Sequence, residues 1–397
     1  MDREGLDARH DPVRDARGFE APGDGLRHLH PRRERERRSG ELRARRQRRA
    51  AALLLAAALL GIGAGLGAAA LAPGWDAPAP PEGSRFALLA VGDFGHREKW
   101  SPWLTPQRAV GDGLAASHLQ HPADYLLLLG DHFYPNGLEE REAEARIAMN
   151  LVAPFCAFLD LSGPLGAQLE PSCGVAAAAR RPIPVLAVLG NHDWRAPESP
   201  DLQQDLVPRY LANWRLRKGG AWVEETAAGV SLVLFDSTPG RARGEAHVLR
   251  DALASARGPW RVVVSHHPVD ASGKSQALRD AIAEAGVPVH LWLAGHEHNL
   301  QLSEPGRPGP ALQVISGGGS SPTPPKYEIP GRRTFHQSLG YARIDLVADP
   351  AAPGQEELVV SLVSVRRFPA ALWQRSRVVA RYAVARDGAI RRGTGRN

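Results

Sequence analysis

Five short polar clusters stand at the ends of apolar runs. They are GDFG (Gly92–Gly95), GDHFY (Gly130–Tyr134), GNHD (Gly190–Asp193), SHHPV (Ser265–Val269) and GHEH (Gly295–His298). Each carries groups that can hold a metal. Imidazole and carboxylate suit transition ions such as Fe, Zn and Mn. A carboxylate can also bridge two ions about 3.5–4 Å apart, and such a pair activates water and clamps phosphoryl oxygens. That is the chemistry phosphate-ester hydrolysis needs. Taken singly, each cluster has a plainer reading. A Gly-Asp after a strand is usually a turn, and a lone histidine such as His192 is usually a satisfied loop residue. GHEH is sharper, because two histidines one residue apart at a strand end have little structural reason to be there. Five clusters in this order point to one shared site. Tyr134, three residues past Asp131, is the ambiguous member, since it is either core filling or an unusual phenolate ligand.

Elements must bring these clusters together. RFALLAVGD, DYLLLLGD, IPVLAVLGNHD, GVSLVLFDST, WRVVVSHHPV and VPVHLWLAGHEH read as strands. Their near-continuous apolar character suits sheets covered on both faces. TPQRAVGDGLAASHLQ, GLEEREAEARIAMNLV, EAHVLRDALASARG and SQALRDAIAEAG read as helices between them. Strands alternating with helices predict an α/β architecture, with the clusters at the carboxyl ends of strands, where open α/β sheets bind ligands. The last runs, ALQVISGGGS, GYARIDLV and EELVVSLVSV, have no helices between them and predict a second, more antiparallel sheet.

The 397 residues suffice for one large domain or two ordinary ones, and 43% apolar content suits a full core. The net charge of +6 is unevenly spread. Residues 1–50 hold 15 Arg against 10 acids, and residues 366–397 hold 9 Arg against one acid. Residues 51–365 hold 25 basic and 32 acidic residues. An acidic body argues against nucleic-acid binding there. The chain divides into a basic disordered segment (1–49), an uncharged apolar stretch (50–72), a Pro-rich linker (73–84), a folded domain (85–368) and a basic tail (369–397). The apolar stretch is long enough to span a bilayer. The arginines before it place the N-terminus inside, so the body is exported. It is either an uncleaved anchor, which makes the membrane a partner, or a cleaved signal peptide. Cys156 and Cys173 are too few for a disulfide framework. They form one bridge or remain two thiols.

The ordered motifs GDxG, GDxxY, GNHD, a strand ending in HxP, and GHxH resemble the metallophosphoesterase superfamily. Within it they are most similar to the small animal-type purple acid phosphatases, over roughly residues 85–365. The resemblance implies a four-layer α/β/β/α sandwich of two mixed sheets and two metal ions. Asp93, Tyr134 and His298 would hold a ferric ion. Asn191, His266 and His296 would hold a divalent Fe, Zn or Mn, and Asp131 would bridge the two. His192 would contact the phosphate of a small phosphorylated substrate and protonate the leaving alkoxide. Many relatives carry D-x-H in the first motif, but Gly95 stands at that third position, and Tyr134 supplies the replacement ligand. His96 is out of register with D-x-H and reads as a loop or supporting residue. The family's substrate-facing histidine after HxP is also missing. Ser275 stands there, with Lys274 before it as a candidate phosphate contact. His132 and His267 replace an asparagine and an aromatic residue; either touches substrate or fills space. The resemblance implies acid phosphatase-like action on monoesters, with diesterase or nucleotide pyrophosphatase action as the alternative and a non-catalytic envelope binding protein as a further one.

Overall fold

The first apolar runs become β1 (Phe86–Val91), β2 (Tyr125–Leu128), β3 (Val185–Ala187) and β4 (Trp214–Leu216), adjacent and parallel. The chain then builds a second sheet from β5 (Ala221–Glu225), β6 (Val230–Phe235), β7 (Trp260–Val264), β8 (Leu291–Ala294), β9 (Leu300–Ser303), β10 (Leu312–Ser316) and β11 (Arg332–His336). It returns to the first sheet with β12 (Gly340–Ala348), β13 (Glu356–Val365), β14 (Ser376–Ala385) and β15 (Ile390–Arg392). The strand orders are β15-β14-β13-β12-β1-β2-β3-β4 and β11-β9-β10-β8-β7-β6-β5. Both sheets are mixed. This is a computed structural model, and it describes residues 77–96, 105–240, 245–348, 355–367 and 376–393. These residues all lie within one compact unit, Ala64–Asn397. The segments 1–49 and 50–72 and the start of the linker lie outside the described residues. Among those described, no helix is long and apolar enough to cross a membrane.

Alternation along each strand sorts the core into layers. Leu88, Leu127, Leu232, Val262 and Leu293 meet between the sheets. Leu89, Leu126 and Leu128 face the other way, onto Val110 and Leu114 of α1 (Pro106–Gln120) and onto Ile147, which ends α2 (Ala143–Ile147). Val233, Val263 and Trp292 face Leu249 of α3 (His247–Ser255) and Leu278 and Ile282 of α4 (Lys274–Ala285). The result is helices, sheet, sheet, helices. α1 starts where expected, because the Thr105 side chain accepts from the Arg108 amide at 3.1 Å and Pro106 opens the first turn.

Three sequence expectations change. The late strands do not form a second sheet of their own. β10 lies beside β8 in the second sheet, while β12 pairs antiparallel with β1 (Phe86 opposite Leu346). Sequence order does not reveal that the chain leaves the first sheet and comes back. The helix expected over 137–152 is broken into a 3-10 turn, α2 and a π turn. Its start is displaced because Gly137 N–H donates to Phe133 O (2.8 Å) and Leu138 N–H to Ser199 Oγ (2.8 Å), holding the preceding loop in a turn. Finally, the expected basic tail 369–397 contributes β14 and β15. Arginines spaced along an outer strand, a common defence of sheet edges, disguise it as a solvated tail.

Candidate metal centre

The five clusters converge at the carboxyl ends of β1, β2 and β3 of the first sheet and β7 and β8 of the second. Hydrogen bonds join the sheets there: Gly92 N–H donates to Ser316 O (2.9 Å), and Ser316 Oγ to Ala90 O (2.8 Å). Asp93, Asp131 and His296 have φ of 59°, 56° and 68°, the only positive values at non-glycine residues among those described. Asp and His tolerate this region better than most residues, and strained backbone concentrates at functional sites. Two glycines permit the close approach. A Cβ on Gly190 would lie 2.2 Å from Asp131 Oδ1, and one on Gly95 would lie 2.1 Å from the His132 carbonyl carbon. The Gly95 position therefore has no room for any side chain, including the imidazole of D-x-H relatives. The same backbone contact fixes Tyr134, whose N–H donates to Gly95 O at 2.8 Å.

Two groups of donor atoms result. In the first, the Tyr134 hydroxyl lies 2.8 Å from Asp131 Oδ2, 3.2 Å from Asp93 Oδ1 and 3.0 Å from His298 Nε2. In the second, Asn191 Oδ1 lies 3.1 Å from His266 Nε2 and 3.0 Å from His296 Nδ1, and those nitrogens are 3.2 Å apart. Asp131 stands between the groups, with Oδ2 in the first and Oδ1 3.6 Å from His266 Nε2. The His266 Nδ1 proton is committed to Leu129 O (2.8 Å), so Nε2 presents a lone pair to the Asn191 oxygen. His298 Nδ1 faces Ser321 O at 3.2 Å, leaving its Nε2 a lone pair as well. Lone pairs packed this closely repel unless a cation lies among them. Outer hydrogen bonds that fix the ring tautomer in this way accompany metal-ligating histidines.

The electrostatics agree. Burial, reinforced by Asp131, pushes the Asp93 carboxyl well above the usual range. Burial also pushes Asp131 up, but His266, His192 and hydrogen bonds to it outweigh this and leave it below its ordinary value. Burial and both carboxylates push the Tyr134 phenol well above 10. Burial and the Lys326 ammonium bring His298 down to about 4. Three acidic oxygens within hydrogen-bond distance can all ionise only around positive charge. The donor set therefore fits two cations, one per group.

Beside the first group lies a cleft of about 440 Å³ lined by His96, Tyr134, Pro135, His192 and His298. His96 stacks on Tyr134 (centroids 4.4 Å apart, planes 15° apart), a closer role than its register suggests. His192 Nδ1 faces Pro135 O at 2.7 Å, and its Nε2 faces the Arg195 guanidinium at 3.2 Å. Arg195 also donates to Pro135 O (3.1 Å). The local sequence does not mark it, because its place on the rim depends on the turn that carries it and His192 against Pro135. Asp193, the last residue of GNHD, has a bracing role that the motif alone does not reveal. It is buried and accepts from the amides of Gly190 (2.9 Å), His132 (3.0 Å) and Phe133 (3.2 Å), tying the second and third clusters together. His132 is buried, stacked on Phe94 and bonded to Gln203 (2.8 Å), so it fills space. His267 bonds Ser237 Oγ (2.9 Å) and brings a ring nitrogen within 4.8 Å of His266 and His296. Ser275 is buried and donates to Asp270 Oδ1 (2.7 Å), a loop-bracing role. Lys274 opens α4, and its side chain lies outside the described residues.

Residues 76–300 match the family model of the calcineurin-like phosphoesterases, and the chain belongs to that family. Membership implies a binuclear metal centre and metal-dependent hydrolysis of phosphoesters, so the substrates are phosphorylated. No curated protein sequence matches the chain. Among solved structures, one described as GAP50, the anchor in the inner membrane complex of Plasmodium, is similar. Its TM-score is 0.50 at 14% identity, over 71% of this chain and 85% of that one. A structure of PhoD gives a TM-score of 0.49 at 11% identity, over 81% of this chain and 74% of that one. At such identity the GAP50 likeness bears on the fold alone.

Proposed function

We propose that the chain is an exported phosphomonoesterase of the purple acid phosphatase type. The observation that carries this reading is the Tyr134 hydroxyl within 3.2 Å of Asp93 Oδ1, Asp131 Oδ2 and His298 Nε2. A phenolate is a hard anionic donor that favours a trivalent ion, so Asp93, Tyr134 and His298 hold Fe(III). Asn191, His266 and His296 hold a divalent Fe, Zn or Mn, and Asp131 bridges. When bound, the pair supplies water activation and charge neutralisation at the phosphoryl group. The protein's own part is to orient the ester. Arg195 offers N–H donors at the rim to the phosphoryl oxygens, where a monoester carries its extra negative charge, and His192, whose Nδ1 proton is committed to Pro135 O, holds the guanidinium there through Nε2. The Cys156–Cys173 bridge supports an exported location, because disulfides persist in oxidising compartments. The stretch 50–72 serves as the anchor.

Turnover of p-nitrophenyl phosphate against its bis-ester, together with metal analysis and a visible spectrum, tests this. The expected result is monoester preference and a violet phenolate-to-iron band that Tyr134→Phe abolishes. Diester preference would overturn the substrate reading, and a colourless, active zinc or manganese protein would overturn the iron assignment.

A further inference from the structure

Tyr327 stands apart from the rest of the surface. It is 43% exposed, and no other large hydrophobic side chain among the described residues is exposed. It lies in the connection between β10 and β11, and its ring stacks on His296 (centroids 5.3 Å apart, planes 22° apart). The segment around it is fastened on both sides. Lys326 N–H donates to the Glu297 carboxylate (2.9 Å to Oε2), Thr323 N–H to His298 O (2.8 Å), and Ala271 N–H to Glu328 O (3.0 Å). Ile329 is buried against the helix side of the second sheet. The backbone is thus held to the GHEH and SHHPV loops while the aromatic ring remains in water. One face of the ring is taken by His296, whose Nδ1 belongs to the second donor group. The neighbouring Lys326 ammonium is close enough to act on Asp93 and His298. A flat aromatic face thus stands at the edge of a phosphoester site.

We propose that Tyr327 is a specificity-determining residue, a stacking platform for a planar ring carried by the alcohol part of the substrate. The preferred substrates are then phosphoesters of aromatic alcohols or nucleotides rather than of small aliphatic alcohols. This rests on the phosphoester reading above and adds the class of leaving group. Offset stacking on a fixed aromatic side chain favours any planar ring and is indifferent to its hydrogen-bonding pattern.

Calorimetry on the metal-loaded full chain tests this without turnover. Phenylphosphonate should bind about tenfold more tightly than methylphosphonate. In Tyr327→Ala the phenyl-to-methyl ratio should fall towards one, and in Tyr327→Phe and Tyr327→Trp it should persist. A ratio of one in the wild type, or a ratio preserved in Tyr327→Ala, overturns the proposal. The non-hydrolysable methylenephosphonate analogues of adenosine monophosphate and of ribose 5-phosphate separate the two sources of the ring: a gain larger than the phenyl gain identifies a nucleobase, and a smaller one an aryl ester. Methylphosphonate binding without a phenyl preference sinks the stacking role alone. Failure of every phosphonate and of inorganic phosphate to bind sinks the phosphoester reading and this inference together.

Discussion

Arg195 does at the rim what the donor groups cannot do from below. Its guanidinium reaches both Pro135 O and His192 Nε2, so it is held in place while remaining exposed. A charge-assisted hydrogen bond to phosphate contributes about 1.5–3 kcal/mol, which converts to roughly 10- to 100-fold in binding. Because Arg195 is exposed, the lower end applies. Arg195→Ala should raise KM for a phosphomonoester about tenfold, with a smaller effect on a diester, whose phosphoryl group carries less charge. Arg195→Lys should recover part of the loss, since a point charge replaces a planar fork. Steady-state kinetics on the ester pair checks this, and equal KM values in wild type and Arg195→Ala would remove Arg195 from substrate binding. The metal-capable residues were legible in the sequence because residue type and order carry that chemistry. Arg195, Asp193 and Tyr327 were not. An arginine, an aspartate and a tyrosine in loops are ordinary until the backbone folds them against His192, the Gly130–Tyr134 cluster and His296.

At the scale of elements, the long excursion between β2 and β3 covers the helix side of the first sheet, and its bridge joins two short helical turns. Cys156 and Cys173 are 17 residues apart in sequence, with Cα atoms 5.4 Å apart. Closing a loop of this length restricts the unfolded chain and stabilises the fold by about 2–4 kcal/mol. Reduction, or the double change Cys156→Ala and Cys173→Ala, should lower the urea midpoint accordingly. Metal content should not change, because no donor residue lies between the two cysteines. Two titratable thiols in the native protein, or loss of metal on reduction, would contradict this. Cysteine count left the bridge open, since only the folded separation brings the sulfurs together. The buried strands and α1 were legible, because long apolar runs and a Thr-Pro start are local signals. Short β4, β9 and β15, and the break after α2, depend on neighbours remote in sequence and leave little local trace.

Across the whole molecule, two buried histidines tie distant parts together in the same way. His118 in α1 donates from Nε2 to Arg181 O (2.7 Å) and accepts the Ala123 amide at Nδ1 (3.1 Å). His290, just before β8, donates from Nε2 to Arg386 O (3.0 Å) and accepts the Arg261 amide at Nδ1 (3.0 Å). The first joins α1 to the segment leading into β3; the second fastens the turn after β14 to the second sheet. Both rings must be neutral, because a proton on Nδ1 would face an N–H. Burial accordingly lowers both from their ordinary value of 6.5. The neutral form is the one the fold favours, so this stability is fully present above about pH 6.5, the unfolded value, and is lost as pH falls through it towards the lowered folded values. Urea midpoints measured from pH 8 down to pH 5 should therefore decline below about 6.5. His118→Gln and His290→Gln keep a donor and an acceptor but cannot protonate. The double variant should start less stable at pH 8, by about 1–3 kcal/mol for each backbone group left unpaired, and decline less steeply. Both proteins carry the same candidate metal centre, so the difference between the two slopes isolates this pair. Parallel slopes would show that His118 and His290 carry no pH-dependent stability, and that any acid loss arises at the metal centre.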